Sequence, residues 1–170
     1  MSTRSKPLAT LALGGLITMS GAAHAVDGCL VLLCLAAPSW SSIPQCVPPV
    51  QQVLNDLAHG RPFPTCKMAG AGNSAGHAWS SAPNNCPPQY VTVWEGEGST
   101  SYRCDYDGVI AVTIDGQPWL RTWWRVGDSV TEFSPAARQT FGAWDKRFED
   151  DYASWLAAHP PVITGCTDGC

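Results

Sequence analysis

Apolar and polar positions follow different rhythms along this chain, and each rhythm predicts a different element. From Gly28 to Ala36 almost every residue is apolar, the mark of a short buried helix. Asp27 stands at its start as a cap for free backbone N–H groups, and Pro38 stops it. Ser42 and Gln45 have the spacing of a capping box ahead of a second helix. Its regular part is predicted from about Pro49 to His59, because Val50, Val53, Leu54, Leu57 and Ala58 fall on one face. Gly60 and Pro62 close it.

The stretch 67–88 turns to Gly, Asn, Ser and Pro and reads as a long loop between two halves. Strands are predicted at Tyr90 to Trp94 and near Ser101 to Tyr106, with a turn from Glu95 to Thr100. Val109 to Ile114 and Gln117 to Val126 flank Asp115-Gly116, a two-residue hairpin turn whose glycine tolerates positive φ. The last element is predicted as one amphipathic helix over 134–158, with Ser134 as cap and Pro135 in its first turn. Ala137, Phe141, Trp144, Phe148, Tyr152 and Trp155 recur at spacings of three and four. On its other side Lys146 with Asp150, and Arg147 with Asp151, have the spacing of ion pairs.

These elements predict an α+β fold: a disulfide-stapled N-terminal helical hairpin, a small antiparallel β-sheet and a long C-terminal amphipathic helix. The expected organisation is a signal peptide over 1–25 and a single mature domain over 26–170. Within it, 26–66 is the helical hairpin, 67–88 the loop, 89–126 the strands, 134–158 the helix and 159–170 a cysteine-containing tail.

Composition changes the picture at the N-terminus first. Arg4 and Lys6, an apolar run from Leu8 to Met19 and the small residues of Ala23-His24-Ala25 have the order of a secretory signal cleaved after Ala25. The apolar run is too short for a membrane span, so none is expected after cleavage. The chain carries 10 Lys and Arg against 14 Asp and Glu, and cleavage would remove two of the cations. That acidity argues against direct contact with nucleic acid.

All eight cysteines lie beyond residue 25: Cys29, Cys34, Cys46, Cys66, Cys86, Cys104, Cys166 and Cys170. An even count behind an export signal predicts a disulfide framework, and no Cys-x2-Cys pair suggests a metal site. Cys29 and Cys34, about 140° apart on a helix, point away from each other. An antiparallel hairpin would pair Cys34 with Cys46 and Cys29 with Cys66; Cys86 with Cys104 and Cys166 with Cys170 are the remaining candidates. The sequence leaves other connectivities open.

Candidate chemistry is sparse. Asp105-Tyr106-Asp107-Gly108 resembles part of a calcium loop, but Arg103 and Ile114 would occupy its first and last ligand positions. Glu95 and Glu97 flank Gly96 as an exposed acidic turn. No Gly-x-Ser-x-Gly elbow is present. His59 belongs to a helix end and His77 to the Gly-rich loop. The expectation is a protein that is not an enzyme and takes no cofactor or metal.

Trp119, Arg121, Trp123 and Arg125 alternate on one strand face and are the candidate partner contacts, through stacking and cation–π pairing. The two-residue turn would put Val112 opposite Trp119 and Ile110 opposite Arg121. That register makes the same face a core surface with arginine tips reaching water.

The run Cys29-Leu30-Val31-Leu32-Leu33-Cys34-Leu35, followed by Cys46-Val47-Pro48-Pro49-Val50 and Pro62-Phe63-Pro64-Thr65-Cys66, resembles the cysteine framework of the TrbM/KikA family. The resemblance covers residues 27–66. It implies a periplasmic accessory of a plasmid conjugative transfer, or type IV secretion, apparatus that acts on envelope components through protein–protein contacts. Two alternatives are a periplasmic hydrolase using Glu95 on cell wall or peptide, and a secreted toxin or exclusion factor.

Overall fold

The computed structural model describes residues 26–67 and 69–160. The predicted signal segment and the Cys166 and Cys170 pair lie outside the described residues. The fold is α+β, with antiparallel strands and, among the described residues, three disulfides.

Helix α1 (Gly28–Leu35) is capped by Asp27, whose carboxylate accepts from the Cys29 N–H at 2.8 Å. Helix α2 (Val47–Ala58) opens on Pro48 and Pro49, where a helix has no N–H to lose. The Ser42 capping box does not form. Residues Trp40–Ser42 make a separate 3₁₀ turn, and the Ser42 hydroxyl pairs with that of Ser39 instead. Bridges Cys29–Cys66 and Cys34–Cys46 tie α1 to the two ends of α2's segment, and Cys86–Cys104 ties the 3₁₀ approach at Pro88–Tyr90 to the strands.

The stretch read as a loop contains a strand, β1 (Ser74–Trp79). Its Gly- and Ala-rich sequence has little strand tendency of its own. The backbone of β4 (Gly108–Ile114) supplies the partners, with Gly76 opposite Ala111 and His77 opposite Ile110. The neighbouring β2 (Val91–Gly96) and β3 (Ser99–Cys104) form a separate hairpin that turns at Glu97 and Gly98, tighter than the Glu95-to-Thr100 turn expected. Glu95 and Glu97 are exposed there.

The main sheet has the order β1-β4-β5-β6, with β5 at Gln117–Arg125 and β6 at Asp128–Phe133. Asp115 (φ 50) and Gly116 (φ 76) make the predicted turn between β4 and β5. One sheet face, carrying Ile110, Val112, Leu120, Trp124 and Phe133, packs on α1 and α2 to form the main core. The other face carries Val109, Trp123 and Val130 and forms a second core with Tyr90, Tyr106 and Phe148.

The single long C-terminal helix is replaced by two, α3 (Pro135–Thr140) and α4 (Arg147–Ala158). Phe141 leaves the helix in an extended conformation. It sets its ring edge-on to Trp119 and Phe133, each at 5.6 Å. The Asp145 carboxylate then accepts from the Arg147 N–H at 2.9 Å as α4 begins. Core packing of Phe141, beside Gly142, outweighs helix continuity here. The Arg147–Asp151 pair does not form either: Arg147 reaches Asp128 at 3.0 Å, while Asp151 accepts from the Tyr90 hydroxyl at 2.7 Å.

Gly108 shows how tightly side chains of neighbouring strands close over the sheet. A Cβ there would lie 2.7 Å from the Trp124 indole nitrogen and 2.6 Å from His77 Nε2. Trp124 is fully buried and cannot yield. Gly108→Ala is therefore expected to lose about 1–3 kcal/mol through overpacking, read as a lower urea midpoint with unchanged slope.

Candidate binding groove

The four candidate contact residues do not share one face. The β4–β5 register slips between Val112 and Thr113, so Val112 faces Leu120 and Thr113 faces Pro118, leaving Trp119 as the extra residue of a bulge. Trp119 turns to the main core, and its indole N–H donates to the Ala36 carbonyl at 3.2 Å. The slip gives Leu120, Thr122 and Trp124 the core face. It sends Arg121, Trp123 and Arg125 to the opposite one, so Ile110 faces Thr122 rather than Arg121.

On that opposite face Trp123 is only 3% exposed. Its ring stacks on Phe148 of α4 at 5.4 Å, and its indole N–H donates to the Asn85 carbonyl at 3.2 Å. The Arg121 guanidinium lies 5.0 Å above the Trp123 ring and pairs with Glu132 at 2.6 Å. Arg125 pairs with Asp128 at 3.2 Å and lies 5.7 Å from the Tyr106 ring. Trp123 is thus an anchor for α4, with Arg121 clamped over it.

Helix α4 covers only part of the sheet, and the uncovered part is a groove of about 780 Å³. Its floor is Val109, Ala111 and Trp123. Its walls are Phe148, Tyr152 and Leu156 of α4 on one side and Pro87, Pro88 and Gln89 on the other. Arg121 with Glu132, and Arg138 with Glu149 at 3.3 Å, add two ion pairs. The Gln89 amide oxygen and nitrogen, and Glu149 Oε2, are enclosed without a hydrogen-bond partner among the described residues. A largely apolar cleft of this size is the usual form of a binding site.

Only Arg121 and Trp123 of the four sequence candidates line this groove. Gln89, Glu132, Phe148, Glu149, Tyr152 and Leu156 were not among them. The stripe of Phe148 and Tyr152 was visible, but it reads equally as core.

The position of α4 depends on two tyrosines. Tyr90 donates to Asp151, and the Tyr106 hydroxyl accepts from Arg147 at 3.2 Å. Burial pushes the Tyr90 phenol well above its ordinary value, and the Asp151 carboxylate pushes the same way. The folded state therefore favours protonated Tyr90. Its contribution is whole below about pH 10 and is lost as pH rises above that. Tyr90→Phe is expected to cost about 1 kcal/mol at neutral pH and to flatten the alkaline loss, measured by urea unfolding across the pH range. His77, beside Trp79 and Trp124 in β1, is held below its ordinary value by burial. His59 sits at the end of α2 with its ring Nδ1 2.7 Å from the Asn55 carbonyl.

Among the described residues no cluster of His, Cys, Asp and Glu has the geometry to hold a metal ion, and no helix is long and apolar enough to cross a membrane. Three disulfides mark a protein of an oxidising compartment. No protein-family model, curated protein or solved structure matches the chain. Fold and site together define a disulfide-bridged α+β domain with a groove between its sheet and its last helix.

Proposed function

We propose that this chain is a non-catalytic accessory of a plasmid-encoded conjugative transfer, or type IV secretion, apparatus, acting in the periplasm through contacts with envelope components. The observation that carries the binding role is the groove over Val109, Ala111 and Trp123, flanked by half-exposed Tyr152 and Leu156. Its apolar floor and paired charges suit a protein partner better than a nucleic acid, in keeping with the acidic balance of the chain.

The transfer setting is supported by the cysteine framework of residues 27–66, with its resemblance to TrbM/KikA proteins, and by the signal-like order of the first 25 residues. The disulfides accord with export. In this reading the bridged helical pair of residues 26–66 stiffens the back of the sheet, while α4 and the opposite face meet the partner.

Deleting the gene in a plasmid-bearing donor is expected to lower transfer, with recovery on supply of the intact gene. Unchanged transfer under liquid and surface mating would sink the proposal.

A further inference from the structure

We infer that the outer edge of β1 takes up an extended segment of a partner protein as an additional antiparallel strand. This is a second surface, separate from the groove beside α4: the two share no lining residue. Strand addition is driven by main-chain hydrogen bonds, with alternate side chains entering pockets beside the edge. β1 offers both.

The ladder comes first. β1 is the end strand of the main sheet and pairs with β4 alone. The Ser80 N–H donates to the Asp107 carbonyl at 2.9 Å, and Trp79 stands opposite Gly108. In an antiparallel pair the inward-pointing groups recur at every second residue, so Ser74, Gly76 and Ala78 turn theirs toward β4. Ala75, His77 and Trp79 turn theirs outward. The outward N–H and C=O groups of these three meet no backbone partner among the described residues.

A cleft runs beside that ladder. About 370 Å³ of space is lined by Ala75, His77 and Trp79 on β1 and by Leu57, Pro62 and Phe63 at and beyond the end of α2. Leu57, Phe63 and Ala75 also pack in the main core. The helical layer thus continues past the last strand, and the sheet is one strand short of covering it. Residues directly opposite each other in a sheet share a face. The residues of an added strand that pair with Ala75 and His77 therefore send their side chains into the cleft. Arg61, the fixed charge of the lining, already pairs with Asp56, which leaves the backbone as the recognition element.

The edge is also unguarded. Proteins block a free edge with charges, proline or a bulge. β1 reads Ser-Ala-Gly-His-Ala-Trp, without proline, lysine or an acidic residue, and its register with β4 runs unbroken from Ser74 to Trp79. At the other end of the sheet the Ser129 carbonyl of β6 is engaged by Arg147. A second copy of the chain fits β1 less well than a lone segment. Two β1 edges paired antiparallel would stand about 4.8 Å apart with both helical layers on one side, so each copy's Pro62 and Phe63 would need the same cleft.

The test is an NMR titration of the disulfide-bonded chain with acetyl-Lys-Val-Thr-Val-Thr-Val-Lys-amide. Saturable binding is expected, with slowed hydrogen exchange at the backbone amides of Ala75, His77 and Trp79. Methylating the valine backbone nitrogens, which face β1 when the valines enter the cleft, should abolish binding. Methylating the threonine nitrogens, which face away, should leave it. Ala75→Pro removes an outward N–H without taking a bond from β4, and should weaken binding about tenfold or more; its unfolding midpoint shows that it folds. No saturable binding, equal binding by the two methylated peptides, or no protection at the three amides would overturn the inference. A dimer dissociated by Ala75→Pro, formed in place of peptide binding, would overturn it in favour of a second copy.

Discussion

Replacing Cys29 and Cys66 together by serine is expected to lower stability by about 4 kcal/mol, because their bridge closes a long loop of chain entropy. The two cysteines are 37 residues apart in sequence, and between them lie the whole of α2 and the second bridge. In the folded chain the bridge fixes the start of α1 against the segment that follows α2. Val31, Leu35, Val50, Val53 and Leu57 of these helices are almost wholly buried in the main core. Loosening that clamp therefore unseats much of the sheet's cover. A fall of this size is a large part of the stability of an ordinary domain, so the double variant should unfold at markedly lower urea or temperature. The Cys34–Cys46 bridge spans only 12 residues, and its removal should cost less on the same loop argument. Equal losses for both would show that local strain, not loop closure, governs these bridges.

Trp124→Ala is the second large effect expected. Trp124 lies at 0% exposure, with Gly108 opposite it and the His77 ring 5.5 Å away. Truncation removes the transfer energy of the indole and leaves a cavity that the disulfide-tied helices cannot collapse into, a loss of about 3–5 kcal/mol. Trp94 provides the internal contrast. It is 60% exposed on the β2–β3 hairpin, so Trp94→Ala should change stability by less than about 0.5 kcal/mol. Calorimetry or urea unfolding of both variants checks the pair. Similar losses would mean that the hairpin tryptophan is buried in solution.

What could be seen in the sequence was set by local chemistry. Asp27 caps α1 through its own carboxylate, and Asp115-Gly116 forms its turn through its own backbone preferences; neither needs a distant partner. Pro48 and Pro49 similarly mark the start of α2. The elements that escaped are those made by distant contacts. Ser74 to Trp79 becomes a strand only because β4 offers an edge. The bulge at Trp119 exchanges the two faces of β5, and the packing that accompanies it involves the Ala36 carbonyl and Phe141. The break between α3 and α4 follows from Phe141 seeking the core. β6 also went unseen, although Gly127 (φ 84) provides the turn that starts it.

The groove was the least legible part for the same reason. Gln89 and Pro88 come from a 3₁₀ turn, Ala111 from β4, Glu132 from β6 and Tyr152 from α4. No spacing along the chain relates them. The alternation of Arg121 and Trp123 was a correct local signal, but the face it belongs to depends on a register that one extra residue reversed.

The proposed engagement of the transfer apparatus by this groove can be observed directly. Its most direct measurement is photocrosslinking in mating cells from a benzoyl-phenylalanine placed at Leu156, on the groove wall. A covalent adduct with an envelope component of the apparatus is expected, formed only in cells that carry the transfer genes and lost when Ala111→Phe fills the floor. An adduct with that component from a probe at Trp94, outside the groove, with none from Leu156, would contradict it.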